Sequence, residues 1–368
     1  MKVIIALSGG VDSAVAAFLL KKQNYEVIGV HMQNWDVELN EGLIRSEKGC
    51  SGKRDLEDVK RICDTLNIPL HVYTFVPEYW EKVFIPYIDS LEENLNTNPD
   101  IFCNYHIKFG VLFDKVVEDF GKDIKLATGH WAKIIQENNR YYLGVCSNKF
   151  KDQTYFLSAL TEQKLSKVIF PLAEFTSKEE IREIAKQIGI FTWDKKDSVG
   201  ICFIGKRNYR DFLSNYIEEK EGNLVDIETN EILGKHRGTH LYVLHQREGL
   251  FLKGYEEKYY VCGKDVEKNI VYLCRKSAIP KYLHKSLTRC KKLHWINKDK
   301  KLNIGDDVYV KARHSPKFFK ARILEIDDFE CLMEHEKMYV TSPGQAIVFY
   351  EMGDSIKCLG MGIYFDHK

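Results

Sequence analysis

The sequence feature that most constrains the fold is a glycine turn near the start of the chain, placed between an apolar strand and a helix. Val3 to Leu7 is an apolar run suited to a buried parallel strand, and Val11 to Lys22 has the apolar spacing of a helix. The turn lies within Ser8 to Ser13 and contains Gly9-Gly10. Adjacent glycines let consecutive N–H groups point outward, and the helix N-terminus adds a partial positive charge. The segment therefore predicts an anion site, most simply for phosphate.

Side chains of the same turn support this interpretation. Ser8 and Ser13 offer hydroxyl donors, and the carboxylate of Asp12 is a candidate magnesium ligand. The alternative is an ordinary strand-to-helix turn in which Ser or Asp caps the helix. An isolated Gly-Gly pair would favour that alternative, whereas the complete segment in this context favours nucleotide binding.

Strand and helix patterns alternate through the first half of the chain, which predicts an α/β domain whose parallel sheet carries helices on both faces. Ligands of such sheets bind beyond the carboxyl ends of the strands. The loops after Leu7, His31, Phe75 and Thr128 are therefore the expected site. Further predicted strands are Val27 to His31, Leu70 to Phe75 and Ile124 to Thr128, and further predicted helices are Leu56 to Leu66, Glu78 to Leu95 and Ile107 to Phe120.

The second half reads as short antiparallel strands. We predict a catalytic domain over 1–205, a small central β-rich domain over 206–275, and an antiparallel β-barrel-like domain over 276–368. The strand-like pieces are Leu224 to Asp226, Leu241 to Leu244, Tyr259 to Cys262 and Ile270 to Cys274, then Val308 to Val310, Ala321 to Ile326 and Ala346 to Tyr350.

The charge balance restricts how a nucleic acid could be bound. The chain has 54 Lys+Arg against 53 Asp+Glu and a formal net charge of +1, so only local basic patches could hold one. One such stretch, Arg275 to Lys301, contains ten Lys or Arg and a single acidic residue, Asp299. It is either a phosphate-contacting strip or a solvated linker, and steep salt dependence would distinguish the first.

The cysteines indicate a reducing compartment. There are ten of them, no two form a Cys-x-x-Cys pair, and no secretory signal or presequence is visible. Structural disulfides, zinc and iron–sulfur clusters therefore have little support. No apolar run is long enough to span a bilayer, so no membrane partner is expected.

Two of the cysteines lie in segments with distinctive turn chemistry. Asn98-Pro99-Asp100 precedes Cys103, which falls just ahead of the helix predicted from Ile107. A thiol in that position gains thiolate character. Cys202 follows a glycine turn within Asp197 to Gly205. For either cysteine alone, a buried and inert thiol is the default interpretation.

Taken together, these segments resemble the tRNA-specific 2-thiouridylase family of the PP-loop ATP pyrophosphatase superfamily, whose catalytic domain is adenine nucleotide α-hydrolase-like. The similarity runs almost from end to end, with departures at Asn94 to Thr97, where the family usually has Gly and Thr-Pro, and at Leu244 to Arg247, often Leu-Gly-Gln-Arg. The motifs in family order are Ser8 to Ser13, Asn98 to Cys103, Ala127 to His130, Lys151 to Gln153, Asp197 to Gly205, and Gly344-Gln345.

The resemblance implies a sulfurtransferase that uses ATP and Mg²⁺ to thiolate C2 of the wobble uridine, U34, of tRNA through an adenylated base. Cys202 would carry a persulfide from a cysteine desulfurase or a sulfur-relay protein. Cys103 would form a transient disulfide with Cys202, either after persulfide attack on the base or after release of hydrogen sulfide. Asn98, Pro99 and Asp100 would receive the target base, with Asp100 also a candidate for proton transfer.

The remaining implied contacts concern ATP and tRNA, the latter expected to be the Lys, Glu and Gln acceptors. The implied ATP-binding residues are Ala6, Leu7, Ser8, Gly9, Gly10, Val11, Asp12, Ser13, Met32 and Gly129, and the implied tRNA contacts are His130, Lys151, Asp152, Gln153, Arg313, His314 and Gln345.

Two other functions compete with this one. Another adenylating ligase or amidotransferase of the same fold would need an ammonia-supplying region, which is not apparent, and would leave both thiols without a task. A catalytically inactive tRNA-binding relative would not need the intact motif of Ser8 to Ser13, Cys103 and Cys202. The family occurs in bacterial cytoplasm and in mitochondria, and the lack of a visible presequence favours the first.

Overall fold

A computed structural model describes residues 1–35, 51–196, 209–252, 254–339, 341–353 and 355–365. In chain order the strands are β1 (Lys2–Ala6), β2 (Glu26–Gln33), β3 (Leu70–Thr74), β4 (Lys125–Thr128), β5 (Lys133–Glu137), β6 (Arg140–Gly144), β7 (Val168–Ile169), β8 (Gly222–Asp226), β9 (Ile232–His236), β10 (Tyr259–Asp265), β11 (Ile270–Arg275), β12 (His284–Trp295), β13 (Asp307–Lys311), β14 (Phe319–Ile326), β15 (Glu330–Tyr339), β16 (Ala346–Glu351) and β17 (Lys357–Tyr364).

The helices occur mainly between the strands of the first half. No helix among the described residues is long and apolar enough to cross a membrane. The α-helices are α1 (Val11–Lys22), α2 (Ser51–Leu66), α3 (Val76–Tyr79), α4 (Ile85–Glu92), α5 (Pro99–Phe102), α6 (Leu112–Phe120), α7 (Glu162–Leu165), α8 (Lys178–Gln187), α9 (Tyr209–Leu213) and α10 (Ile279–Tyr282), with π-helical segments Trp80–Phe84 and Cys103–Val111 and 3₁₀ turns Thr154–Leu157, Thr239–Leu241 and Lys276–Ala278.

The first half forms a parallel sheet in the order β3-β2-β1-β4-β7. The apolar residues of β1 alternate between two cores, because Val3 and Ile5 pack on the face that carries α1 and α8, whereas Ile4 packs on the opposite face. A strand buried on both faces needs a continuous apolar run, which is what its sequence provides. The carboxyl ends of β1, β2 and β4 thus lie side by side at one edge.

A long helical rod covers the second face of this sheet and carries Cys103. It runs from Pro99 to Phe120 as α5, the π-helical segment and α6, with a distorted backbone at Gly110. Asn98 caps its start, since the Asn98 side chain accepts a hydrogen bond from the N–H of Asp100 at 3.0 Å. Pro99 at the first helical position suits the fixed φ of proline. The rod is therefore two turns longer at its N-terminus than the apolar spacing alone indicates.

The second half builds a small sheet and a barrel. The small sheet has the order β10-β11-β8-β9, and the strands β12-β15-β14-β13-β16-β17 close through a β12–β17 pairing into a six-stranded antiparallel barrel. The β5–β6 hairpin, which belongs to the first half of the sequence, extends the barrel sheet by pairing with β17. The predicted fold class is confirmed.

Two local predictions are wrong, and one of two open alternatives is excluded. Leu241 to Leu244 forms a 3₁₀ turn and a loop instead of a strand. The linker alternative for Arg275 to Lys301 is excluded, because most of this stretch is β12, whose Cys290 lies inside the barrel while charged residues face outward. Cys103 lies within the rod and not ahead of it.

Candidate functional site

The turn after β1 has the geometry expected of an anion site. Gly9 adopts φ of +76°, a conformation that glycine tolerates better than any other residue, and α1 starts at Gly10 without a side-chain cap. The first N–H groups of α1 therefore remain available to a ligand. The Ser13 hydroxyl donates to the Gly10 carbonyl at 3.1 Å and accepts from the Ser8 N–H at 3.3 Å, which fixes the curvature of the turn.

Neighbouring strand ends hold this turn in place. The predicted ATP contacts Ala6, Leu7 and Val11 lie at its two ends, and the Leu7 carbonyl accepts a hydrogen bond from Nδ1 of the buried His31 at 2.9 Å. Met32, the next residue of β2, is half-buried beside this contact. Sequence reasoning missed His31, because nothing in the pattern of β2 indicates that its side chain turns toward the phosphate loop.

Asp12 does not fit the predicted magnesium site in this arrangement. Its Oδ1 accepts a hydrogen bond from Nζ of Lys178 at 2.6 Å, and its Oδ2 accepts one from Nε1 of Trp131 at 3.2 Å. The ammonium of Lys178 lies where a cation would bind, and both carboxylate oxygens are engaged. Among the described residues, no group of three or more His, Cys, Asp or Glu side chains is placed to hold a metal ion.

Gly129 lets the loop after β4 approach the phosphate loop. A Cβ at this position would lie 2.6 Å from the Ser13 backbone nitrogen, so no larger residue fits without displacing the start of α1. This contact places the predicted ATP-binding residue Gly129 directly against the turn. The next two residues, His130 and Trp131, then reach the rod and Asp12 respectively.

A second lysine missed by sequence reasoning ties the phosphate loop to α2. Nζ of Lys195 donates to the Gly9 carbonyl at 3.3 Å and forms ion pairs with Asp55 at 2.9 Å and with Asp58 at 2.8 Å. Asp55 and Asp58 are three residues apart on α2, so their carboxylates lie on the same face of the helix. The ion pairs thereby hold Lys195 against the peptide of Gly9.

The rod carries the predicted base-binding residues at its start and contacts the loop after β4 through Phe109. Cys103 is 3% exposed, and Asp100 lies one turn before it on the half-buried start of the rod. Burial raises the pKa of Asp100 and outweighs the opposing effect of Lys108. Burial, assisted by Lys108, holds the pKa of His130 well below its usual range, so His130 is neutral at pH 7. The rings of His130 and Phe109 lie 6.0 Å apart, which joins the β4 loop to the rod.

The segment Lys151 to Gln153 packs against both the sheet edge and the barrel. Gln153 exchanges two hydrogen bonds with the backbone of Trp131, at 2.9 and 2.8 Å. The carboxylate of Asp152 is sealed from solvent beside Lys311 at 3.2 Å, and the Asp152 carbonyl accepts from Nε2 of His314 at 2.9 Å. The Asp152 side chain is thus not available for the predicted contact with tRNA. Lys151 and Arg313 lie at the periphery of this network, and their predicted contacts remain untested.

Gly344-Gln345 of the barrel contacts the loop that precedes the rod. The Gln345 side chain donates through Nε2 to the Asn96 carbonyl, and the Asn96 N–H donates to the Pro343 carbonyl at 2.6 Å. A Cβ on Gly344 would lie 2.7 Å from the Asn96 nitrogen, so glycine is required for this approach. Gln345, predicted to contact tRNA, therefore also supports the backbone just ahead of Asn98.

Five of the six motif segments thus meet in one continuous network of contacts. The phosphate loop contacts Gly129 to Trp131, which contact Gln153, while Asn104 of the rod donates to the Phe156 carbonyl at 3.0 Å. Gln345 completes the network from the barrel side. The sixth segment, Asp197 to Gly205 with Cys202, lies outside the described residues. The arrangement offers an anion site at the phosphate loop, and the rod that contacts the loop after β4 carries a buried thiol and a carboxyl with a raised pKa.

Comparison with known protein families gives three consecutive matches along the chain. A family model described as the tRNA methyl transferase HUP domain matches residues 1–206. A tRNA methyl transferase PRC-barrel domain matches residues 210–275, and an aminomethyltransferase beta-barrel domain matches residues 285–363. The first match covers the parallel sheet and the phosphate loop, and the third covers the closed barrel.

Curated relatives match over nearly the whole chain. The tRNA-specific 2-thiouridylase MnmA of Malacoplasma penetrans is 43% identical over 98% of this chain and 97% of the relative. The enzyme of the same description from Mycoplasma capricolum is 41% identical over 98% of this chain and 97% of the relative. Among solved structures, a 4-thiouridine synthetase in complex with RNA and ATP shows a TM-score of 0.33 and 19% identity over 58% of this chain and 49% of that one.

Proposed function

The chain belongs to the tRNA-specific 2-thiouridylase family, and we propose that it is the sulfurtransferase that uses ATP to replace the C2 oxygen of the wobble uridine, U34, of tRNA by sulfur. The observation that carries this proposal is the network of contacts that links the phosphate loop, through Gly129 and His130, to the rod that carries Asp100 and Cys103. An anion site alone would suit any ATP pyrophosphatase, whereas a buried thiol on the helix that contacts the same loop suits sulfur transfer.

The first half-reaction activates the base. The triphosphate of ATP binds the N–H groups at the start of α1, and the C2 oxygen of the uridine attacks the α-phosphorus. The bond between the α-phosphorus and the bridging oxygen breaks, pyrophosphate leaves, and the base is adenylated at O2. This step converts the C2 oxygen into a good leaving group, because it now departs as part of AMP. Gly9 and Gly10 support the step by exposing backbone donors to the phosphates.

The second half-reaction transfers sulfur. The terminal sulfur of a Cys202 persulfide bonds to C2, and the Cys103 thiolate attacks Sγ of Cys202, which breaks the S–S bond to the transferred sulfur. The products are 2-thiouridine, AMP and a Cys103–Cys202 disulfide, which a thiol reductant must then reopen. In the alternative order, Cys103 attacks first and releases hydrogen sulfide, which then attacks C2. Both orders need the same two thiols.

Asp100 is suited to hold the base during both steps. Its raised pKa keeps a fraction of the carboxyl protonated closer to neutral pH than a solvent-exposed Asp, so it can donate a hydrogen bond as well as accept one. The Asn98 cap and Pro99 fix its position at the start of the rod. We assign Asp100 to base orientation or proton transfer.

The proposal includes partners and a compartment. The substrate tRNAs are those with a wobble uridine, of which the Lys, Glu and Gln acceptors are expected. The sulfur comes from a persulfide-bearing protein, either a cysteine desulfurase or a sulfur-relay protein. The proposed disulfide must be reduced in every cycle, so the enzyme works in a reducing compartment such as the bacterial cytoplasm.

The test is thiolation of a wobble-uridine tRNA transcript in vitro with ATP, a persulfide source and a thiol reductant. The wild-type protein should form 2-thiouridine, detected by mass spectrometry of the digested tRNA, together with one AMP and one pyrophosphate per thiolated base. Cys103→Ser should form none, while Cys262→Ser, a change to a half-buried thiol of the small sheet, should leave the product unchanged. Normal thiolation by Cys103→Ser would refute the two-thiol scheme, and adenylation without thiouridine from the wild type would favour a ligase.

A further inference from the structure

A cluster of aromatic and basic side chains surrounds Tyr339, away from the phosphate loop. Tyr339 ends β15 and is 45% exposed, although it is a large aromatic residue. The imidazole rings of His284 and His245 meet its ring nearly at right angles, with centroids 4.7 and 5.0 Å away. The guanidinium of Arg313 lies 5.5 Å from the same ring centroid. The cluster thus joins the small-sheet region, β12, β15 and the loop after β13.

The backbone of His245 indicates that this cluster is more than incidental packing. His245 has φ of +69°, a left-handed conformation that is unfavourable for residues with a Cβ. The His245 N–H donates to the Val261 carbonyl at 2.9 Å, and the preceding N–H of Leu244 donates to the Ser342 hydroxyl at 3.0 Å. These bonds hold the strained residue so that its ring contacts Tyr339. Strain that the surroundings maintain in this way concentrates at functional sites.

The polar groups of the cluster are suited to a ligand with hydrogen-bonding edges. Nε2 of His284 is buried and has no hydrogen-bond partner within the part of the chain that the structure describes. His284 pairs in register with Tyr339 on the neighbouring strand, which places the two rings on the same face of the sheet. Arg313 precedes His314, which donates to the Asp152 carbonyl. The cluster is therefore coupled by adjacent residues to the network around the phosphate loop.

We propose that Tyr339, His245, His284 and Arg313 form a stacking site for one unpaired nucleotide of the tRNA, distinct from the base that is thiolated. This inference rests on the proposed function and names a second contact for the same substrate. Exposed aromatic rings and guanidinium planes bind splayed-out bases of single-stranded RNA loops by stacking, and neighbouring cations bind the phosphate. The mixture of rings and positive charge favours RNA over an apolar protein partner, whose site would be less charged.

The experiment measures the dissociation constant for a wobble-uridine tRNA transcript at two salt concentrations. Tyr339→Ala should weaken binding about tenfold, the order of magnitude of one lost base stack, whereas Tyr339→Phe should bind like the wild type because stacking does not need the hydroxyl. The matched control is Phe329→Ala, which removes a ring that is 77% exposed just ahead of the opposite end of β15 and should not change binding.

The salt dependence separates stacking from charge. The loss caused by Tyr339→Ala should be the same at both salt concentrations, because a neutral ring releases no counterions, whereas Arg313→Met should reduce the salt slope by about one. As an independent measurement on the wild type, tRNA should protect His245 from diethylpyrocarbonate.

The outcomes are distinguishable. Unchanged binding by Tyr339→Ala together with an unprotected His245 would overturn the stacking site while leaving the proposed function intact. Failure of the wild-type protein to bind the tRNA would instead refute the proposed function. If Tyr339→Ala is unfolded by circular dichroism, the protection of His245 in the wild type decides the question.

Discussion

Two of the Asp–Lys ion pairs next to the proposed site differ in solvent access. Asp12 and Lys178 lie 2.6 Å apart at the phosphate loop, with side chains 26% and 7% exposed. Asp152 and Lys311 lie 3.2 Å apart between the first half of the chain and the barrel, with side chains 0% and 1% exposed. The first pair faces the space where ATP would bind, whereas the second is enclosed by Thr154, Tyr350 and Phe318.

The comparison shows that an Asp–Lys ion pair can line a ligand site or join two parts of the fold. Burial raises the pKa of Asp152 and lowers the pKa of Lys311, so it opposes the charged form of each side chain. The attraction between the two side chains counteracts this effect. In the open pair, water reaches the Asp12 carboxylate. The enclosed pair holds the segment Lys151 to Gln153 against the barrel.

The largest expected effect comes from breaking the enclosed pair. Lys311→Met leaves the Asp152 carboxylate buried without its partner, which should lower the free energy of unfolding by about 3–5 kcal/mol. Urea denaturation at pH 7 measures the change. The double variant Asp152→Leu with Lys311→Met should recover most of the lost stability, because it removes both charges. The matched control is Lys301→Met, which breaks an exposed pair with Asp328 and should cost less than about 1 kcal/mol. Equal losses from Lys311→Met and Lys301→Met would contradict the assignment of an enclosed pair.

A smaller effect on stability is expected from breaking the open pair. Lys178→Met should cost about 1 kcal/mol, because solvent reaches the remaining Asp12 carboxylate and Trp131 still donates to it. ATP affinity, measured by equilibrium dialysis, should fall more clearly than stability, since the phosphates lose a nearby cation. Lys186→Met, a change in the last turn of the same helix, serves as the control and should leave ATP affinity unchanged. A stability loss as large as that of Lys311→Met would show that the two pairs do not differ.

An effect that appears only at acidic pH concerns His130, next to Trp131, which donates to Asp12. Its pKa is lowered in the folded protein, mainly by burial, while in the unfolded chain it is about 6.5. The folded state therefore binds fewer protons, and its stability is present above pH 6.5 and declines as the pH falls below that value. His130→Gln should remove this decline, by at most about 1.4 kcal/mol per pH unit. Unfolding free energies at pH 7.5 and 5.5 test this, and parallel losses in both proteins would contradict it.

The sequence predicted the architecture well because the determining patterns are local. The apolar runs of β1 and β2, the glycine turn and the length of α1 are all read from neighbouring residues, and α1 spans Val11–Lys22 as predicted. The apolar spacing predicts the start of the rod too late, although Asn98 and Pro99 are a recognisable cap and first helical residue. The same residues also favour turns, so the local signal fits both structures.

The contacts that complete the site could not be predicted, because they join residues far apart in sequence. Lys178 and Lys195 belong to a helix and a loop with ordinary surface composition, and only the fold brings them to Asp12 and Gly9. The burial of Asp152 likewise depends on Lys311, more than 150 residues later in the chain. The roles of Cys103, Asp100 and the tRNA contacts stay predictions until they are measured.

The pairing of β6 with β17 has a consequence for how the protein is made. The β5–β6 hairpin is synthesised with the first half of the chain, but Leu143 and Gly144 pair with Cys358 and Lys357 near the other end. During translation the outer edge of β6 has no partner for the time needed to add about 200 residues, which is on the order of ten seconds or more at bacterial rates. An open strand edge is a template for pairing with other chains. Nascent chains of this enzyme on neighbouring ribosomes should therefore be most vulnerable to co-aggregation in this interval.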